Sequence, residues 1–208
     1  SAAAIYNLSG GTLTSPGFSI SRGRTAVLNV SDSGLLGVVG NLGIASTTPD
    51  TLTLPADGTL NVSGGTANIG TGLSGTPGVT SASLGTINML AGTWAYVAAA
   101  KAALNISGGV TTAKGIAFGN AAGNYVNHPA SQINLSGGLL YLDANGIALA
   151  AGVTGFATPV INLSGGTIAA TANWTGSLPM TLNSTNGDLT VQAADVNGTL
   201  FNITLSGG

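Results

Sequence analysis

The chain has 208 residues, of which six are Asp and four are Lys or Arg, so its formal net charge is −2. Four scattered cations form no basic patch of the kind that nucleic acid or an anionic membrane surface requires. No apolar run reaches the roughly 18 residues of a membrane span, so we predict no membrane insertion. Cysteine is absent, which excludes disulfides and thiolate metal sites.

A short motif, Asn-x-Ser-Gly-Gly in its full form, recurs along the whole chain. In eight of its nine copies the Asn lies between two apolar residues, the alternation of a strand with one buried and one wet face. Successive Asn residues are 17 to 32 positions apart, a spacing typical of the units of repeat proteins. The copies begin at Asn7, Asn29, Asn61, Asn88, Asn105, Asn134, Asn162, Asn183 and Asn202.

Within each unit, the pattern predicts three short strands separated by corners. In the unit that begins at Asn134, a first strand is followed by Gly137-Gly138, by an apolar strand over residues 139–142 and by a third strand over residues 146–149. Glycine adopts positive φ without a steric penalty, which makes Gly-Gly a corner signal. Most prolines fall in the loops that lead to the next unit, where no ladder hydrogen bond is lost.

One such unit encloses too little volume to bury its own apolar side chains, whereas stacked units can bury them. Equivalent strands of stacked units would pair as parallel sheets, and parallel crossover connections are right-handed in about 98% of cases. We therefore predict an all-β fold, a right-handed parallel β-helix (β-solenoid) with roughly eight to nine irregular turns of three short strands each. It would form a single domain over residues 1–208.

The repeated sequence N-[LVI]-S-G-G-T-[LIA], seen as NLSGGTI at residues 162–168, resembles the autotransporter-associated β-strand repeats. These repeats, also called passenger-associated transport repeats, occur in long bacterial surface and secreted proteins. The resemblance covers most of the chain and is weakest over residues 71–100 and after residue 183. It implies a β-helical, exported product with a fibrous or adhesin-like role.

The strand parity places the Asn of each motif copy on the outer face. Asparagines of stacked units would then lie about 4.7–4.9 Å apart, and amide ladders of this kind strengthen a parallel stack through side-chain hydrogen bonds. We predict such a structural ladder from Asn7, Asn29, Asn61, Asn88, Asn105, Asn134 and Asn162.

Most motif copies also match the N-x-[ST] pattern of glycan acceptors. Strand alternation alone generates this pattern, and sugars on neighbouring rungs of a ladder would crowd one another. If sugars are attached, better candidates lie off the ladder or in loops beside prolines. These candidates are Asn173, Asn197, Thr48, Thr76 and Thr158.

The charged residues predict one ion pair and no active site. Lys114 and Asp143 each lie nine residues after the Asn of consecutive units, so equal offsets predict an exposed pair across adjacent turns, contributing about 0–1 kcal/mol. The alternative is that Lys114 and Asp143 act together as a catalytic base and acid, but the sequence places no further catalytic group beside them. The six Asp residues show no Asp-x-Asp spacing, and His128 is the only histidine. We predict no catalytic residue, metal site or cofactor, although stacking could still bring distant acids together.

Residues 1–4 and 201–208 show no polar cap of the kind that closes a free-standing solenoid. We therefore expect a structural segment of a longer extracellular or cell-surface fibre, or a self-stacking subunit that forms homo-oligomers or filaments. One alternative is an adhesin or carbohydrate-binding surface module with glycan partners. Another is a β-helical polysaccharide lyase or hydrolase.

Overall fold

The computed structural model describes residues 3–20, 25–45, 57–70, 86–89, 102–119 and 130–207. Within these ranges the chain contains fifteen β-strands and no helix, and all fifteen strands belong to one hydrogen-bonded sheet system. The pairings between these strands are parallel, and an isolated antiparallel bridge joins Ala194 to Leu200. The prediction of an all-β chain is confirmed, and its mostly parallel sheet is compatible with a β-solenoid.

Four strands continue through a Gly-Gly corner and have 11 to 18 residues, whereas the other strands have two to six. In chain order the fifteen strands are β1 (Ala4–Leu8), β2 (Thr12–Ser15), β3 (Phe18–Ile20), β4 (Ala26–Val30), β5 (Leu35–Val38), β6 (Leu42–Ile44), β7 (Gly58–Ile69), β8 (Thr86–Met89), β9 (Ala102–Phe118), β10 (Gln132–Leu149), β11 (Val160–Ala170), β12 (Trp174–Pro179), β13 (Thr181–Leu182), β14 (Leu189–Gln192) and β15 (Ile203–Gly207). The four long strands are β7, β9, β10 and β11.

The strands pair in three parallel series. The first series is β1-β4-β7-β9-β10-β11-β13, the second is β2-β5-β7-β9-β10-β11-β14, and the third is β3-β6-β8-β9-β10-β12-β15. We call each set of strands that contributes one step to all three series a level. Level 1 is β1–β3, level 2 is β4–β6, level 3 is β7 and β8, level 4 is β9, level 5 is β10, level 6 is β11 and β12, and level 7 is β13–β15.

Among the described strands, the nine motif copies fall on seven levels because two of the copies lie on the third series. Asn88 is part of β8, where it pairs with Gly43 and Ala117, and Asn202 immediately precedes β15. The prediction of eight to nine turns treated each Asn as the start of a new turn. A strand with Asn between apolar residues occurs on the first and on the third series, so the number of levels cannot be predicted from the number of motif copies.

The core consists of rows in which each level contributes one apolar side chain. One row of the first series consists of Val30, Val62, Ile106, Leu135 and Leu163, all with 0% exposed surface. Each of these residues pairs directly with the next one in the strand register. Burial of a side chain of this size contributes about 1.5–3 kcal/mol. Because successive members of a row belong to different levels, each level gains its burial from the levels on either side.

The corner after the first series is made by the Gly-Gly of the motif. The second glycines of four copies, Gly11, Gly109, Gly138 and Gly166, have φ values of 73°, 69°, 73° and 80°, in the left-handed region that side-chain-bearing residues rarely adopt. The corners of levels 4 and 5 also lie close together, since a Cβ added to Gly138 would be 2.6 Å from the carbonyl carbon of Gly108. Gly-Gly therefore permits both the turn and the close stacking of the corners.

Candidate functional site

Six of the seven predicted ladder asparagines form one continuous row along the first series. From Asn29 onward, each amide Nδ2 donates a hydrogen bond to Oδ1 of the Asn on the preceding level. The distances are 2.7 Å from Asn29 to Asn7, 2.7 Å from Asn61 to Asn29, 2.8 Å from Asn105 to Asn61, 2.8 Å from Asn134 to Asn105 and 2.9 Å from Asn162 to Asn134. The ladder therefore has a direction, with every donated hydrogen bond pointing toward level 1.

The register of the first series brings these amides together. At every step Asn lies directly opposite Asn, and from level 2 to level 6 the residues on either side of it are buried in the core. The Asn7 side chain is exposed and the other five are partly buried, so each hydrogen bond contributes about 0.5–1.5 kcal/mol net. A slip of one residue would turn the apolar neighbours outward and the amides inward, so core and ladder specify the same register.

Asn88 does not belong to the ladder, and this part of the prediction is wrong. It lies on the third series opposite Gly43 and Ala117, so neither neighbouring strand offers an amide there. The spacing contained a signal, because Asn88 precedes Asn105 by only 17 residues, whereas the observed ladder steps span 22 to 44 residues.

The ladder also ends before the copy at Asn183. Thr181 lies opposite Asn162 at level 7, and Asn183 Oδ1 instead accepts a hydrogen bond from the backbone N–H of Thr185 at 3.0 Å. Level 7 therefore presents a hydroxyl where the lower levels present an amide.

Lys114 and Asp143 form no ion pair in the described part of the chain. The register of β9 and β10 shifts at this corner, where Lys114 alone spans a stretch that residues 143–145 span on the next level. The Asp143 carboxylate accepts a hydrogen bond from the backbone N–H of Ala144. The prediction from equal offsets was wrong because it assumed corners of equal length on the two levels.

Three of the candidate glycan acceptors, Asn173, Asn197 and Thr158, have exposed side chains. Thr48 and Thr76 lie outside the described residues. Asn173 Oδ1 accepts a hydrogen bond from the backbone N–H of Asn202 at 2.8 Å. That bond uses the amide oxygen and not Nδ2, the atom to which an N-linked sugar would be attached.

The acidic residues are dispersed over the described chain. No three His, Cys, Asp or Glu residues within it are arranged to hold a metal ion. Asp195 closes a surface turn, with Oδ1 accepting hydrogen bonds from the backbone N–H groups of Thr199 at 2.8 Å and Asn197 at 2.9 Å. The hydrogen bond from Thr199, followed by that from Asn197, lowers the pKa of Asp195 because both favour the charged carboxylate.

In the described part of the chain, apolar side chains at the level 7 end of the core are partly exposed. Leu182, Val191 and Leu205 are 48%, 43% and 41% exposed. Each continues an inward row, since they pair with Leu163, Ile168 and Gly176 of level 6, all of which are buried. Sequence analysis did not single out these three residues, although Leu182 lies beside the motif residue Asn183, where strand alternation predicts an inward side chain.

Level 1 exposes a different set of side chains. Leu8 and Ile20 are only 5% and 3% exposed, whereas Ile5 and Tyr6 of β1 are 63% and 53% exposed. The described residues of level 1, 3–20, include no charged side chain. In the described part of the chain no strand pairs with the outer edges of β1, β2 and β3.

A groove of about 370 Å³ opens beside the third series at levels 5 to 7, within the size range of small-ligand sites. Trp174 contributes to its wall, but this side chain is only 3% exposed and does not present an open aromatic face. Sequence analysis missed the groove because its residues come from three levels. Its polar lining residues are all uncharged: Asn145, Asn173, Thr175, Ser177, Asn202 and Thr204.

Comparison with known proteins adds no family to this description. The chain matches no protein-family model, no curated protein and no solved structure. The resemblance to autotransporter-associated repeats therefore stays a prediction from the motif. A separate finding is that no helix in the described residues is long and apolar enough to cross a membrane.

Proposed function

We propose that this chain is a structural segment of an extracellular fibre or surface layer, a right-handed β-solenoid that is extended end to end. The observation that carries the proposal is the exposed end of the core at level 7. Leu182, Val191 and Leu205 are close to half exposed, yet they are in register with rows that are buried at level 6. A further level placed on level 7 would cover them as level 7 covers level 6.

The gain from such a contact follows from the area that it covers. Burying the exposed half of a Leu or Val side chain contributes about 1 kcal/mol, and level 7 has three such side chains, one on each series. The outer edges of β14 and β15 add backbone groups that a further parallel strand would pair with. Exposed edges and apolar side chains on the same surface favour continuation of the sheets.

The composition of the surface supports a role in an assembly. Charged residues make up 5% of the chain, so adjacent rods repel one another weakly and can pack side by side. We propose a non-enzymatic role, because the acids in the described residues are dispersed and Asp195 is engaged in a turn. Location outside the cell is part of the proposal and rests on the motif resemblance.

Negative-stain electron microscopy of the purified chain over a range of concentrations tests this function. We expect filaments whose length increases with protein concentration. The Val191→Lys variant should abolish them, because it places a charge on the inward row of level 7. Thr190→Lys is the matched control, since this exposed neighbour on β14 belongs to the outward row. Discrete short rods from the folded wild-type chain at every concentration would contradict the proposal.

The groove at levels 5 to 7 favours a second function, the binding of neutral carbohydrate. Amide and hydroxyl groups line it without any charged side chain, a chemistry that suits sugar hydroxyls and does not select for acidic polysaccharides. Trp174 is buried, so binding would depend on hydrogen bonds rather than on aromatic stacking.

A glycan array tests this second function. We expect neutral glycans to bind, and Ala148→Trp to remove the binding because Ala148 lines the groove. Ala117→Trp is the control, since Ala117 pairs with Ala148 on the neighbouring strand and is not part of the lining. Absence of neutral glycan binding, or binding unaffected by Ala148→Trp, would reject the groove as the site.

A further inference from the structure

We infer that copies of this chain join head to tail, with level 1 of one copy stacked on level 7 of the next; the inference rests on the proposed end-to-end extension. We call the outer edges of β1, β2 and β3 the head surface, and the outer edges of β13, β14 and β15 the tail surface. Three properties of these surfaces, their apolar rows, the direction of the asparagine ladder and their charge, favour this arrangement over joining of like ends.

The apolar rows continue from tail to head in the existing register. Leu8, Leu13 and Phe18 of level 1 start the same rows that end at Leu182, Val191 and Leu205 of level 7. A second copy placed one strand spacing beyond level 7 would therefore set Leu8 on Leu182. The new contact would be parallel, like the pairings between the strands within the chain, whereas a two-fold contact between like surfaces would be antiparallel.

The asparagine ladder also has different ends. Every Nδ2 donates toward level 1, so Asn7 ends the ladder with an amide donor for which the described chain supplies no Asn acceptor. At the other end, Thr181 lies opposite Asn162, and its hydroxyl oxygen can accept a hydrogen bond. A head-to-tail contact brings the Asn7 donor to Thr181, whereas a head-to-head contact brings two Asn7 donors together.

Charge disfavours the third arrangement, tail-to-tail joining. The described residues of level 1 carry no charge, whereas Asp188 immediately precedes β14 of level 7 and Asp195 lies in the turn that follows it. A tail-to-tail contact would bring carboxylates of both copies toward one another, which is unfavourable when the charges are partly desolvated. A neutral head against the tail avoids this repulsion.

Sedimentation velocity of two blocked variants tests the polarity. Val191→Lys blocks the tail surface, and Tyr6→Lys blocks the head surface because Tyr6 lies on an inward row and is 53% exposed. We expect each variant alone to remain monomeric and an equimolar mixture to form dimers and nothing larger. The outward residues Thr190 and Ile5 supply the controls, since Thr190→Lys and Ile5→Lys should leave filament formation intact.

A third variant keeps the test independent of any folding defect in Tyr6→Lys. Asn7→Asp retains an oxygen that accepts from Asn29 Nδ2 but lacks the donor toward a second copy. We expect it to weaken association roughly two- to tenfold.

The outcomes separate this inference from the proposed function. Dimers of Val191→Lys alone would show head-to-head joining, and dimers of Tyr6→Lys alone would show tail-to-tail joining. Either result, or a mixture that stays monomeric while the wild type assembles, overturns the head-to-tail inference and leaves end-to-end extension standing. A wild-type chain that is folded and monomeric at every concentration overturns the proposed function itself.

Discussion

Levels 4 and 5 and level 7 contain the same kinds of residues in the same three series, but their side chains differ in burial. Leu135 and Leu182 lie on one row, joined through Leu163, and are 0% and 48% exposed. Both are leucines at an inward position of the first series, although β10 has 18 residues and β13 has two. The larger difference is the number of neighbouring levels, since in the described residues level 5 has one on each side and level 7 pairs with level 6 alone. Burial in this fold is therefore a property of stacking.

The sharpest test of this comparison is the same truncation at an inner position and at an end position of one row. Leu135→Ala should lower the free energy of unfolding by about 2–5 kcal/mol, because it leaves a cavity that other levels enclose. Leu182→Ala should lower it by about 1 kcal/mol, since roughly half of that side chain is already in water. Urea denaturation of the monomeric proteins measures both values. Equal losses would show that level 7 is as well packed as level 5.

A second comparison uses two glycines of the motif with the same backbone conformation. Gly11 and Gly138 both have φ of 73°, but a Cβ on Gly138 meets Gly108 at 2.6 Å while a Cβ on Gly11 meets nothing within 4 Å. Gly11→Ala should lower the free energy of unfolding by about 1–2 kcal/mol through backbone strain. Gly138→Ala should lower it by about 1–3 kcal/mol more, because the stacked corners must move apart. Urea midpoints that shift equally would exclude close stacking of the corners.

The asparagine ladder gives a smaller difference between an inner and an end position. Asn105→Ala removes two ladder hydrogen bonds, to Asn61 and from Asn134, whereas Asn7→Ala removes the one from Asn29. We expect losses of about 2 and about 1 kcal/mol respectively, measured by thermal or urea unfolding. If Asn105→Ala were neutral, the ladder would be a consequence of the register and not a contribution to it.

The smallest expected effect concerns the turn at Asp195. Its pKa is lowered by hydrogen bonds from Thr199 and Asn197, so the ionised carboxylate stabilises the turn fully above the unfolded-state pKa of about 3.9. That contribution is lost as the pH falls through the lower, folded pKa. Hydrogen exchange at the Thr199 amide should accelerate in this acidic range beyond its intrinsic pH dependence. The Asp195→Asn variant should not show the added pH dependence, and a wild-type profile identical to that of the variant would refute the assignment.

The parts that could be predicted from sequence depend on local alternation. Asn between apolar residues, repeated with Gly-Gly corners, was sufficient to predict a parallel all-β chain and the ladder members Asn61, Asn105 and Asn134. Alternation has a period of two residues and carries no information on which series a strand joins. For that reason the sequence prediction assigned Asn88 to the wrong series.

The sequence pattern could not predict features that depend on the length of the corners. Lys114 and Asp143 have equal offsets in sequence but occupy corners of one and three residues, and a corner can absorb such an insertion without disturbing the strands around it. The groove joins Asn145, Thr175 and Thr204 from three levels, so its geometry depends on every corner between them. Exposure at level 7 likewise depends on what is stacked there, which no local window of sequence describes.

The central claim is that level 7 is left open for a further level, and hydrogen exchange tests it directly. Amide protection in β13, β14 and β15 should be low in dilute, monomeric protein and should rise toward that of β9 and β10 in the assembled form. Protection of β9 and β10 should stay the same in both states, because each already has neighbours on both sides. Level 7 amides that are equally protected in monomer and assembly would contradict the account.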